Sequence, residues 1–131
     1  MEERSKATTR PGSGLVDLLA VVEQAADAIG IDDLHGNVVW GNRAFRRLFG
    51  LADDEPLGTL ADYVPVRARE GLLRRHRDRV QGPLAPASYE FEARRRDGSR
   101  LWVEATVAPV VDDGVTTGTC AVIRDRPCQR T

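Results

Sequence analysis

Few side chains in this sequence are of a kind that does chemistry. There are two cysteines, Cys120 and Cys128, and two histidines, His35 and His76. A thiolate is a nucleophile and a metal ligand, and an imidazole can ligate iron or move a proton. Two cysteines are too few for a disulfide framework, which fits a reducing compartment. Asp32, Asp33 and His35 stand together, but at a hairpin tip, where turn chemistry already accounts for such residues. Arg67, Arg69, Arg74, Arg75, Arg77 and Arg79 could suggest a nucleic-acid surface. However, Glu70 and Asp78 interrupt them, no aromatic residue interleaves, and the net charge is only −1. The run reads as a solvated helix face. No acid, base and nucleophile converge by spacing, so the chain is not read as an enzyme. The rival would be a small α+β enzyme with a polar constellation in its cavity.

The elements that must position these residues follow from periodicity. Residues 1–13 are polar, with Pro11 and Gly12, and read as a disordered arm. From Leu15 to Ile29 the apolar residues Leu15, Leu18, Leu19, Val22, Ala25, Ala26 and Ile29 keep helical spacing. This predicts an N-terminal amphipathic helix over 14–29. Ile29–Asp33 and Asn37–Trp40 form a hairpin. Asn42 is an N-cap for Arg43–Phe49, and Gly50 its C-cap. Arg67–Val80 is a longer helix, with Leu72, Leu73, His76 and Val80 on one stripe. Three strands follow: Tyr89–Arg95, Leu101–Val111 and Val115–Ile123. Asp97-Gly98 and Asp112-Asp113-Gly114 make the turns between them.

A chain of 131 residues allows one domain with a real core. Its N-terminus lacks the apolar segment of a signal peptide, and no apolar run reaches the length of a membrane span. A cytoplasmic protein is expected, with neither nucleic acid nor membrane as partner.

The order of elements and the phrases within it resemble the PAS domain family. The matching phrases are D-x-x-G-N-V-V-W-G-N-R-A-F-x-x-L-F-G at Asp33–Gly50, Glu55-Pro56-Leu57-Gly58 and Glu90-Phe91-Glu92. Arg95-Arg96-Asp97-Gly98-Ser99, Trp102-Val103-Glu104, Gly118 and Arg124-Asp125 complete them. The resemblance covers a domain at 28–127 and leaves a tail at 128–131. It implies an α+β PAS fold, with a five-stranded antiparallel sheet in the order 2-1-5-4-3. Short helices would lie on one face and the N-terminal helix on the other.

The resemblance also implies a cavity that in this family holds haem, flavin, a small metabolite or only side chains. Its expected lining here is Phe45, Leu48, Phe49, Tyr63, Leu72, His76, Tyr89, Phe91, Val103, Cys120 and Val122. The flavin branch would need a cysteine in Gly58–Val64, which reads GTLADYV and has none. It would also need amides where this chain has Ala93, Val103 and Cys120. No cofactor is therefore predicted. The haem branch needs an inward histidine on the longer helix. His76 is the one candidate, although the family's ligand falls nearer Arg69–Glu70. Alternation counted from Gly118 turns Cys120 inward, where it reads as a small core residue. Trp102 faces outward with Thr106, Thr119, Ala121 and Ile123. A homodimer is expected through Leu15, Leu18, Leu19, Val22, Trp102 and Ile123. The reading is a sensory or dimerisation domain of a signal-transduction or transcription-regulatory protein. It would bind a small ligand or a partner and relay a conformational change to an effector. The alternatives are an interaction-only dimerisation module without a cavity, and a haem sensor.

Overall fold

The computed structural model describes residues 21–82 and 87–126. Residues 21–23 are helical, and Gln24 N donates to Val21 O in a turn. The first strand among the described residues, β1 (Ala28–Asp33), already begins at Ala28, so the helix ends short of the expected Ile29. β2 (Val38–Gly41) returns antiparallel to β1. The turn between them is held by Asp33, whose Oδ1 accepts from His35 N and Asn37 N. The Asn37 side chain, whose Nδ2 donates to Asp33 Oδ2, and after it the backbone bonds hold the Asp33 carboxyl below its usual range.

Helix α1 (Arg43–Phe49) starts without a linker after β2. Asn42 caps it by accepting from Phe45 N, and Gly50 ends it at φ 74°, the left-handed value that suits glycine. Two short 3-10 turns, Leu60–Tyr63 and Val66–Ala68, lead into α2 (Arg69–Gln81). Three strands close the domain: β3 (Ala87–Arg94), β4 (Arg100–Asp112) and β5 (Val115–Asp125). The sheet is antiparallel throughout, with the spatial order β2-β1-β5-β4-β3. That is the expected order 2-1-5-4-3.

The register decides which residues face the helices. Ala105 pairs with Ile123 and Val107 with Ala121. Ala105 and Ile123 are buried in the core with Val103, Phe45 and Phe49. Thr119, Ala121 and Ile123 are therefore the inner residues of β5. Cys120 and Val122 belong to the outer face, opposite to the expectation. A period-2 strand has no intermediate solution, so one residue of error inverts every position. Ile123 consequently leaves the expected dimer surface. Val22 and Trp102 remain half-exposed or exposed. The first three leucines of that surface, Leu15, Leu18 and Leu19, lie outside the described residues, as do the 1–13 arm, Cys128 and the 128–131 tail.

Candidate functional site

α1, the 3-10 turns and α2 lie over the inner sheet face and enclose a cavity of about 90 Å³. α1 contributes Phe45 and Phe49, the 3-10 turns contribute Leu60 and Tyr63, and α2 contributes Leu72. The sheet supplies Gly30, Ile31, Val38, Tyr89, Phe91, Ala105, Val107, Ala121 and Ile123. Phe45, Phe49 and Tyr63 form an aromatic cluster, with ring centroids 4.9 to 5.4 Å apart. Tyr63 turns its hydroxyl away to donate to Leu57 O. Burial, helped by the charge of Asp62, pushes that phenol up to about 12.

One polar cluster interrupts the apolar wall. Asp32 lies on the inner side of β1, beside Gly30 and Ala28 in the alternation, and is 8% exposed. Its Oδ1 accepts from Thr119 N at 3.2 Å and from Thr119 Oγ1 at 2.8 Å. His76 Nε2 lies 3.0 Å from Asp32 Oδ1 and 3.0 Å from Asp33 O. Both partners are acceptors, so Nε2 carries the proton and Nδ1 is the nitrogen that titrates. The hydrogen bond to Asp32 raises the His76 pKa above its ordinary value, outweighing burial. This cluster ties α2 to β1 and β5.

α2 also places two cations on the cavity. Arg75 and Arg79 line it one helical turn apart. The Arg75 guanidinium lies over the Tyr89 ring at 4.6 Å from its centroid. Arg75 is exposed, as expected of a solvated face, but it also borders the cavity, and Arg79 is only partly exposed. The helix is rotated so that 72, 75, 76 and 79 face inward, while Leu73 is 39% exposed. Such a rotation was not readable, because an Arg stem can cover apolar surface as well as a leucine does.

Seven expected lining residues meet in the wall: Phe45, Phe49, Tyr63, Leu72, His76, Tyr89 and Phe91. Val103 is buried beneath it in the core, and Leu48 packs on the core from the side. Cys120 and Val122 are not in the wall. Burial, with Asp32 nearby, pushes the Cys120 thiol up, which disfavours a reactive thiolate. Asp32 and Thr119 were missed. Asp32 was assigned to the turn, although its parity with Ala28 and Gly30 marks it as inward.

The residues present do not fit haem or flavin in this arrangement. His76 Nε2 is already engaged by two oxygens. A drug-sized ligand takes about 300 Å³ or more, and haem is larger than that. The flavin positions Ala93 and Val103 are apolar and fully buried, and Thr119 spends its hydroxyl on Asp32. Among the described residues no group of three or more His, Cys, Asp or Glu side chains could hold a metal. Among them, too, no helix is long and apolar enough to cross a membrane.

A sheet of order 2-1-5-4-3, walled on one face by short helices around a cavity, agrees with sequence comparison. A family model described as PAS domain matches residues 26–126. The chain belongs to the PAS domain family. Among curated proteins, this PAS domain is 36% identical over 85 residues to the C4-dicarboxylate transport sensor protein DctS of Rhodobacter capsulatus. That match covers 63% of this chain and 13% of the relative, so the chain spans only a small part of DctS. Among solved structures, a PAS domain from Colwellia psychrerythraea superposes with a TM-score of 0.76 at 19% identity, covering 86% of this chain and 96% of that one. A domain of a sensory box sensor histidine kinase/response regulator from Geobacter sulfurreducens gives 0.73 at 24%, covering 91% and 100%. At these identities the structural matches speak for the fold.

Proposed function

We propose that this PAS domain is the input module of a larger signalling protein and that it senses a small, mainly apolar molecule. The observation that carries this reading is the mainly apolar cavity between the sheet and α1, the 3-10 turns and α2. Its lining side chains come from separate elements, so occupancy changes how those elements pack. The likeness to DctS, a sensor by name, supports the same role. A ligand that prefers one packing of α2 on the sheet shifts the population toward it. The terminal segments then carry the change to an effector. The protein has no catalytic role in this reading and works as a cytoplasmic homodimer through Val22, Trp102 and the N-terminal helix.

The test is a panel of small apolar compounds followed by thermal denaturation and by native mass spectrometry of the purified chain. A true ligand at one hundred times its Kd stabilises the fold by about 2.7 kcal/mol. For a domain of this size that raises the Tm by roughly 8 °C or more. If every compound leaves the Tm unchanged, the cavity is only core and the interaction-only module replaces this reading.

A further inference from the structure

The cavity has a chemical direction. Its wall is apolar except at the Asp32–Thr119–His76 cluster and where α2 brings Arg75 and Arg79 to it, and the exposed Arg75 makes that end cationic. Arg75 is stacked on Tyr89, and among the described residues no carboxylate pairs with it. Stacking occupies the face of a guanidinium and leaves its N–H edge able to meet a carboxylate. Arg79 follows one turn later on the same wall. The cavity's own carboxylate, Asp32, is already engaged by His76 and Thr119. Arg75 thus makes the mouth positive, while the charge of Asp32 inside is compensated.

We infer that the ligand is a short-chain monocarboxylate, with its head on Arg75 at the mouth and its tail among Phe45, Phe49, Leu72 and Phe91. This rests on the reading of the cavity as a ligand site and adds the ligand's class. A cavity of about 90 Å³ has room for about three to six non-hydrogen atoms, which sets the tail near four carbons. A second carboxylate would have to enter the apolar part of the wall among Phe45, Phe49 and Phe91, where it would be desolvated. Dicarboxylates are therefore rejected. A neutral alcohol of the same length keeps the tail contacts and loses the charged head.

The experiment is an NMR titration of the isotope-labelled full chain with pentanoate, 1-pentanol and succinate, repeated in Arg75→Gln. Pentanoate is expected to shift the amides of Leu72, Tyr89 and Ala105, and to bind about tenfold tighter than 1-pentanol. Arg75→Gln should weaken pentanoate by about the same factor and leave 1-pentanol unchanged, which also shows that the variant is folded. Succinate should give no saturable shift at the cavity. Equal affinities for pentanoate and 1-pentanol, both indifferent to Arg75→Gln, would overturn the monocarboxylate while leaving the cavity as a ligand site. Tighter binding of succinate than of pentanoate would overturn it too. Shifts with none of the three would remove the ligand site itself, and this inference with it.

Discussion

Asp32, His76 and Thr119 show how one buried carboxylate is made tolerable. Asp32 has the His76 Nε2–H at 3.0 Å and two donors from Thr119, so its lone pairs are not left bare. Removing one side of such a pair costs more than the pair itself contributes. Asp32→Ala should therefore destabilise the fold by about 3 kcal/mol in urea denaturation, leaving Thr119 without its acceptor and His76 with Asp33 O alone. The pH dependence has a definite sign. His76 is raised above 6.5 in the folded state, so its contribution is complete below about 6.5 and is lost as pH rises through the raised value. The stability difference between the native chain and His76→Gln should shrink over that window. A difference that stays constant from pH 5.5 to 9 would show that folding does not shift the His76 pKa. At Cys120 the raised thiol predicts slow alkylation at neutral pH in a Cys128→Ser background. Rates equal to those of the denatured chain would contradict it.

At the scale of elements, the abrupt passage from β2 to α1 is set by a few residues acting together. Gly30 and Gly41 are cross-strand partners on β1 and β2. The Phe45 ring lies over both, and a Cβ would come within 2.8 Å of it at Gly30 and 2.6 Å at Gly41. The glycine pair is thus the slot that seats the first aromatic of the cavity wall. Gly41→Ala should cost about 1–3 kcal/mol through displacement of Phe45, and a combined Phe45→Leu should recover part of that loss. If Phe45→Leu brings no recovery, the collision is not the cause. Asn42 completes the junction and is fully buried. Its Oδ1 accepts from Ile29 N and Phe45 N, and its Nδ2 donates to Val22 O and Asp27 O. One side chain thereby joins the end of the N-terminal helix, β1 and α1. Asn42→Ala should cost at least about 2 kcal/mol, since it removes a helix cap and strands several buried groups. Chemical denaturation of that variant measures it.

For the whole molecule, the two sheet faces divide the work. The inner face carries the core and the cavity. The outer face carries Trp102, 38% exposed, together with Cys120 and Val122. The homodimer proposed through this face and the N-terminal helix gives a direct expectation. Trp102→Glu should convert the dimer to monomer in sedimentation analysis while changing the monomer's stability by less than about 1 kcal/mol, as expected of a half-exposed side chain. A native chain already monomeric at high concentration would sink that arrangement. Coupling between cavity and dimer has a physical route in the Asn42 bonds. α1, which carries Phe45 and Phe49, shares that side chain with Val22.

What the sequence determined by itself was the local grammar. Asn42, Gly50, Asp33 and the Asp97-Gly98 turn act through backbone chemistry within a few residues, so α1 and the hairpins were legible to within one or two positions. The order of elements with its phrases was enough to name the fold. What only the tertiary structure decided was orientation. The stretch Thr116–Ile123 has small or apolar residues on both parities, so nothing in it said whether Thr119 or Cys120 faces inward. Pairing of Ala105 with Ile123 decided that. The rotation of α2 was likewise open, since its inward side holds Arg75 and His76, which find Tyr89, Asp32 and Asp33 as partners. Those partners are between 14 and 44 residues away in the chain. Short-range signals fix where an element begins and ends. Which side of it is buried depends on what the rest of the chain brings against it.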